Sequence, residues 1–148
     1  IKAMGENKKL IYIMAGFDDS GYSKLIKEKI NNSGLGKRFV MLNFVNKIQM
    51  NMLFNCADYG LWYTPTISIQ QGMGTGLKSI LPKKNTLDHL LTNENGTYYT
   101  DPKHLYKILL DSKSYLDRNS VYDHNVRFSY ENILKTMIKK LNIQNENI

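Results

Sequence analysis

Apolar residues fall into short runs separated by polar stretches rich in Asn, Lys and Gly, and two spacings alternate along the chain. Residues 10–15 (LIYIMA) are a continuous apolar run bounded by Gly16, which predicts a strand covered on both faces. Residues 38–42 (RFVML) predict the next strand. Residues 59–63 (YGLWY), aromatic-rich and cut off by Thr-Pro-Thr, predict a short buried one. Residues 78–81 and 97–100 complete a set of about five strands. Between strands the spacing is helical. Ser20 or Asp19 caps a helix running to about Asn32, with Tyr22, Leu25, Ile26, Lys29 and Ile30 as its inward stripe and Gly34 and Gly36 at its end. A short helix over 47–55 turns Ile48, Met52 and Leu53 inward, and another holds Gly72 and Gly74 and stops at Gly76. Residues 87–91 predict a helical turn. Asp101, an N-cap with Pro102 at the first helical position, opens helices over 102–112, 114–125 and 129–141, before a frayed NIQNENI end. Residues 1–9 read as the close of a helix and a turn, so the chain is expected to begin inside an element, as a piece of a longer protein does.

Strands alternating with helices predict an α/β class: a Rossmann-like parallel sheet of about five strands with helices on both faces, and a helical C-terminal tail able to cross to another domain. At 148 residues this is read as a single domain with room for a core. No internal repeat interrupts it.

Composition narrows the function classes. Hydrophobic residues at 42% and charged residues at 22% are ordinary for a globular protein. No apolar run reaches the roughly 20 residues needed to span a bilayer, and no secretion signal opens the chain. Cys56 is the only thiol, so a reducing, cytoplasmic setting is expected and Cys56 is read as buried and structural. A net charge of +7 suits phosphates, nucleic acid or an anionic membrane face, but the lysines are scattered and no RNA-binding signature is present, so no nucleic-acid partner is assigned. His89, His104 and His124 lack metal-ligand spacing, and no metal or cofactor is expected.

The chemistry-bearing stretch is YGLWYTPTISIQQGMGTG, residues 59–76, continuing to Pro82. Strand, turn, glycine-containing helix and strand form a βαβ unit whose first turn can aim free N–H groups at an anion. Thr66 or Ser68 caps the helix, leaving about three unpaired N–H groups just beyond it. The plainer alternative is a capping box, since Ser68-x-x-Gln71 fits that pattern. Gly72 and Gly74 are explained by close helix–sheet packing, and Ile69 with Met73 by core position. Gly16, Phe17 and Asp18 follow the first strand at its carboxyl end, as a ligand loop or as a tight turn. Phe44, Val45 and Lys47 follow the second at the same sheet edge, where Phe44 can pack in the core. Lys83 and Lys84 either meet a phosphate or are solvated.

Three stretches together resemble the C-terminal, donor-binding domain of the GT-B group 1 retaining glycosyltransferases. LIYIMAGFDDSGYSKLIKEKI is similar to that family's strand, glycine turn and helix. RFVMLNFVNKIQMNMLFNCADYGLWY is similar to its strand, helix, Ala-Asp, strand block, with Ala57-Asp58 in register. TISIQQGMGTGLKSILP, followed by LLTNENGTYY, resembles its Glu-Ala-Met-Ala-x-Gly-x-Pro-Val-Ile run and later Asn-Gly turn. FSYENILKTMIKKL resembles its closing helix. Gln71 stands where the family's second glutamate stands and Tyr63 where the first does, while Asn43 replaces a glycine and Lys78 a proline. The resemblance implies a nucleoside-diphosphate sugar as substrate, held by Gly16, Phe17, Asp18, Phe44, Val45, Tyr63, Thr66, Ile67, Ser68, Ile69 and Gln71, with Gln71 toward the ribose. It implies an N-terminal domain of the same protein as partner, carrying the acceptor and, with residues upstream of Ile1, the Arg/Lys diphosphate clamp. Contact with an anionic membrane at the cytoplasmic face stays open. No catalytic residue is assigned, and a binding or scaffolding module without catalysis is the alternative.

Overall fold

The computed structural model describes residues 1–84, 86–112, 118–126 and 129–140. Helices and strands alternate: α1 (Lys2–Glu6), β1 (Tyr12–Ala15), α2 (Gly21–Asn32), β2 (Phe39–Leu42), α3 (Lys47–Cys56), β3 (Tyr59–Leu61), α4 (Ile67–Met73), β4 (Lys78–Pro82), β5 (Gly96–Tyr99), α5 (Pro102–Asp111), α6 (Arg118–Asn125) and α7 (Tyr130–Lys140). The class is α/β and Rossmann-like, as the alternation predicts. The strands form two sheets, β1-β2 and β3-β4-β5, with parallel pairing in β1-β2 and β3-β4. The chain divides into two compact units, Ile1–Met52 with Tyr99–Ser114, and Leu53–Tyr98 with Tyr115–Ile148.

In the first unit Tyr12 pairs with Phe39 and Ile13 with Val40. The Tyr12 and Phe39 rings meet edge-on at 6.0 Å on one face. The other face carries Ile13 and Val40, both exposed. The expectation that LIYIMA is covered on both faces is therefore corrected: burial alternates along β1, so a period of two governs this strand. The inward stripe of α2 also differs from the expected one. Ser23 and Ile30 are buried, whereas Tyr22, Leu25 and Lys29 face solvent. Ser23 fixes that phase, because its hydroxyl bonds Asp18 at 2.6 Å and draws this side of the helix inward. Polar contact here overrides the larger apolar side chains.

A 3₁₀ turn, Gly36–Arg38, takes the start of the predicted second strand. It places the Arg38 guanidinium against the carbonyls of Met4 and Asn7, closing the end of α1. Asn7 Nδ2 in turn donates to the Leu109 and Leu110 carbonyls at the end of α5, 3.3 Å each. At the start of α5, Asp101 accepts from the N–H groups of Lys103 (2.7 Å) and His104 (3.0 Å), with Pro102 in the first turn, as its sequence predicts.

Helix α3 buries Phe54, with Leu53 half-buried and Ile48 and Met52 exposed, so two of its three expected inward residues point outward. Phe54 packs on Trp62 at 6.2 Å between ring centroids and sets the phase of the last turn. Cys56, about 200° further round at 100° per residue, is exposed rather than buried.

The second unit is built on β3, β4 and α4. Its core joins Ile69, Met73, Leu81, Leu87, Leu90 and Leu91, with Trp62 and Tyr98 against it. Gly60 and Gly72 are the hollow for the Trp62 indole. A Cβ on Gly60 would overlap its six-membered ring, and one on Gly72 would lie 3.0 Å from Cη2. Close packing thus explains Gly72; Gly74 has only ordinary contacts and serves as the C-cap of α4. Gly76, at φ +75°, would place a Cβ 2.6 Å from the Arg118 carbonyl, so both its conformation and its space exclude a side chain. Arg118 reaches back from α6 to the carbonyls of Phe54 (2.6 Å) and Ala57 (2.7 Å), closing the end of α3. Fully buried Asn95 donates to Asn125 Oδ1 at 2.7 Å, and Asn125 donates to the Met73 carbonyl at 2.9 Å, tying the β5 turn and α6 to α4. Helix α7 exposes Ile133, Leu134 and Met137. Residues 114–117 of the expected 114–125 helix, Leu141 and the NIQNENI end lie outside the described residues.

Candidate functional site

In the first unit the loops after β1 and β2 meet at the strands' carboxyl ends. The Gly16 N–H donates to the Asn43 carbonyl at 3.1 Å and the Phe17 N–H to the Leu42 carbonyl at 3.0 Å. A φ of +95° at Gly16 lets the chain turn there. Phe17 is buried, with Lys27 Nζ 5.7 Å from its ring centroid. Asp18 Oδ1 accepts from the Ser20 hydroxyl (2.5 Å), the Ser23 hydroxyl (2.6 Å) and the Ser20 N–H (3.1 Å). Those donors, the Ser20 hydroxyl foremost, hold its carboxyl down to about 2. Ser20 itself caps α2, accepting from the Ser23 N–H. Residues 16–18 thus form a tight turn in which the Gly16 and Phe17 amides are engaged and the Asp18 carboxylate organises the start of α2.

Phe44 is 88% exposed, which excludes core packing as its role and leaves an aromatic ring free just past the β2 edge. Val45 is half-buried and Lys47 exposed.

In the second unit Thr66 is the N-cap of α4. Its hydroxyl accepts from the Ser68 N–H at 3.1 Å and its carbonyl from the Ile69 N–H at 3.1 Å. Ser68 is inside the helix, so the Ser68-x-x-Gln71 box does not form. Two amides expected to be bare near Ser68 are thus already taken, and Ile67 keeps an N–H with no acceptor among the described residues. Ile69 is fully buried, so its side chain belongs to the core and not to a ligand surface. Gln71 is exposed.

Trp62 is the residue that sequence reading passed over. Its Nε1–H donates to Ser68 Oγ at 2.9 Å, and Ser68 Oγ lies 3.0 Å from Thr66 Oγ1. One hydroxyl hydrogen of the Thr66–Ser68 pair is spent between the two oxygens, which leaves the other for a partner outside the protein. The only tryptophan of the chain, next to a glycine-bearing strand, was the signal available. Tyr63, next in the chain, is 75% exposed, and Lys84 Nζ stands 5.2 Å from its ring centroid. Lys83 turns the other way, 3.5 Å from Asp88 and 4.8 Å from the Tyr98 ring centroid.

A shallow depression at the start of α5 is lined by Thr100, Asp101, Lys103, His104 and Lys107, and another in the second unit by Asn132, Lys135 and Lys139; neither contains a predicted site residue. Among the described residues no group of three His, Cys, Asp or Glu could hold a metal ion, and no helix is long and apolar enough to cross a membrane.

No protein-family model matches the chain, and no curated protein matches it. A solved structure does. The sucrose-phosphate synthase of Thermosynechococcus elongatus superposes with a TM-score of 0.65 at 16% identity, over 95% of this chain and 40% of that one. The fold is glycosyltransferase-like. The chain spans less than half the length of that synthase. At this identity the likeness is one of fold, and it agrees with the order of strands, turns and helices that the sequence resemblance rests on.

Proposed function

We propose that this chain is the donor-binding, C-terminal domain of a GT-B group 1 glycosyltransferase. It would move a sugar from a nucleoside-diphosphate sugar to an acceptor in glycoconjugate or polysaccharide assembly at the cytoplasmic side. The observation that carries the reading is the fold likeness over 95% of the chain. It is supported by loops bearing Phe44, Tyr63, Thr66 and Ser68 just past the carboxyl ends of parallel strands, where open α/β sheets take ligands. Sugar transfer needs stabilisation of the departing diphosphate and an acceptor held against the sugar. The donor-binding part is assigned here to this chain and the acceptor to an N-terminal domain of the same protein. The chain alone therefore binds nucleotide weakly and transfers nothing. Calorimetric titration with UDP, GDP and dTDP tests this: saturable heat with one of them supports it, and no heat with any of them at millimolar ligand overturns it.

Tyr63 favours a second reading. It supplies no carboxylate where the resembled family has one, and the acid of the first loop, Asp18, is committed to three donors of its own chain. A module of the same fold that binds without catalysing is consistent with both. Donor hydrolysis by the full-length protein separates the two, since only the enzyme turns donor over.

A further inference from the structure

The exposed pair Tyr63–Lys84 is not explained by folding. Parallel pairing runs Tyr59 with Lys78, Gly60 with Ser79 and Leu61 with Ile80, and the Trp62 N–H extends it by donating to the Ile80 carbonyl at 3.2 Å. Tyr63 and Lys84 thus both emerge just beyond the carboxyl ends of neighbouring strands. They meet there, the ammonium 5.2 Å from the ring centroid. The two adjacent lysines are not equivalent. Lys83 has a carboxylate, Asp88, at 3.5 Å, whereas Lys84 has none among the described residues. The same turn holds the Thr66–Ser68 hydroxyl pair with its spare hydrogen. An uncompensated cation and a hydroxyl donor at one parallel-sheet edge are the groups that a phosphate needs.

We propose that Lys84 is the phosphate-binding cation of this edge, taking the diphosphate of a nucleotide ligand, and that Tyr63 is a positioning residue which holds the ammonium there through its ring face. This rests on the donor-binding reading and specifies its charge contact. Lys83, neutralised by Asp88, takes no part. The ring matters and its hydroxyl does not, because the attraction is between the cation and the π face.

Calorimetry on the full chain with UDP, GDP, dTDP, uridine and inorganic pyrophosphate provides the test. In the proposal, Lys84→Gln weakens the diphosphate ligands and pyrophosphate by about threefold or more and leaves uridine unchanged. Lys83→Gln has no such effect. Tyr63→Ala behaves as Lys84→Gln, Tyr63→Phe behaves as wild type, and the salt dependence of UDP binding flattens in Lys84→Gln. Wild-type binding with Lys84→Gln unchanged, or with Lys83→Gln equally weakened, overturns the assignment while leaving the donor-binding reading standing. Absence of binding by the wild type to every diphosphate overturns both. All four substitutions are at exposed positions, and unchanged thermal unfolding of each variant identifies a binding effect as one on the ligand.

Discussion

Gly60 sits where the Trp62 indole needs to pass, and a single methyl there would meet its six-membered ring. Overpacking of this kind costs about 1–3 kcal/mol, so Gly60→Ala should lose that much stability in urea unfolding, with Trp62 fluorescence reporting the displaced ring. Asp18 illustrates strong local chemistry. Its carboxyl titrates at about 2 instead of the ordinary 3.8, because the Ser20 hydroxyl, the Ser23 hydroxyl and the Ser20 N–H all favour the charged form. A depressed folded-state value means that its contribution to stability is present above the ordinary carboxylate range and disappears as pH falls through about 2. Carboxyl NMR should find that midpoint, and Ser23→Ala should move it upward; a midpoint near the ordinary value in the wild type would refute the network. Ser20 was legible, together with Asp19, as an N-cap candidate before a helical run, and the structure decides for Ser20. Ser23 was not, since a serine in a helix carries no mark of the acid five residues earlier that turns it inward.

At the scale of elements, helix ends decide more than helix interiors. The carbonyl end of α3 is closed by Arg118, that of α1 by Arg38 and that of α5 by Asn7. Each partner comes from a distant point in the chain, so none of these closures was visible in local pattern. The N-caps Ser20 and Asp101 were, because the capping side chain and the amides it satisfies are within three residues of each other. Asp101→Ala should cost about 1 kcal/mol of stability in denaturant unfolding, the usual value of such a cap. The Asn95–Asn125–Met73 chain is buried, and truncating one partner strands the other. Asn125→Ala should therefore cost about 1–3 kcal/mol, and the double substitution with Asn95→Ala should cost less than the sum. An additive double-mutant cycle would contradict the coupling.

For the whole molecule, stability itself reports on binding. Ligand binding only to the folded state adds stability by mass action, so a nucleotide present at 100 times its dissociation constant should raise the unfolding free energy by about 2.7 kcal/mol. A thermal-shift series with UDP, GDP and dTDP should show a concentration-dependent rise for the one that binds; flat curves for all three would count against the donor site. The sequence by itself determined the α/β class, the succession of about five strands, the Asp101 N-cap and the strand–helix–strand unit around Tyr59–Pro82. Those features depend on periodicity and on neighbours a few residues apart, which a linear pattern records. Only the tertiary structure decided which faces are covered, as with exposed Ile13, Val40, Ile48 and Cys56 against buried Ser23 and Phe54. It also decided that Thr66 and not Ser68 caps α4, and that Lys84 and not Lys83 stands over Tyr63. Burial and pairing depend on which distant groups arrive at the same point in space, and one methyl or one carboxylate there outweighs any local preference.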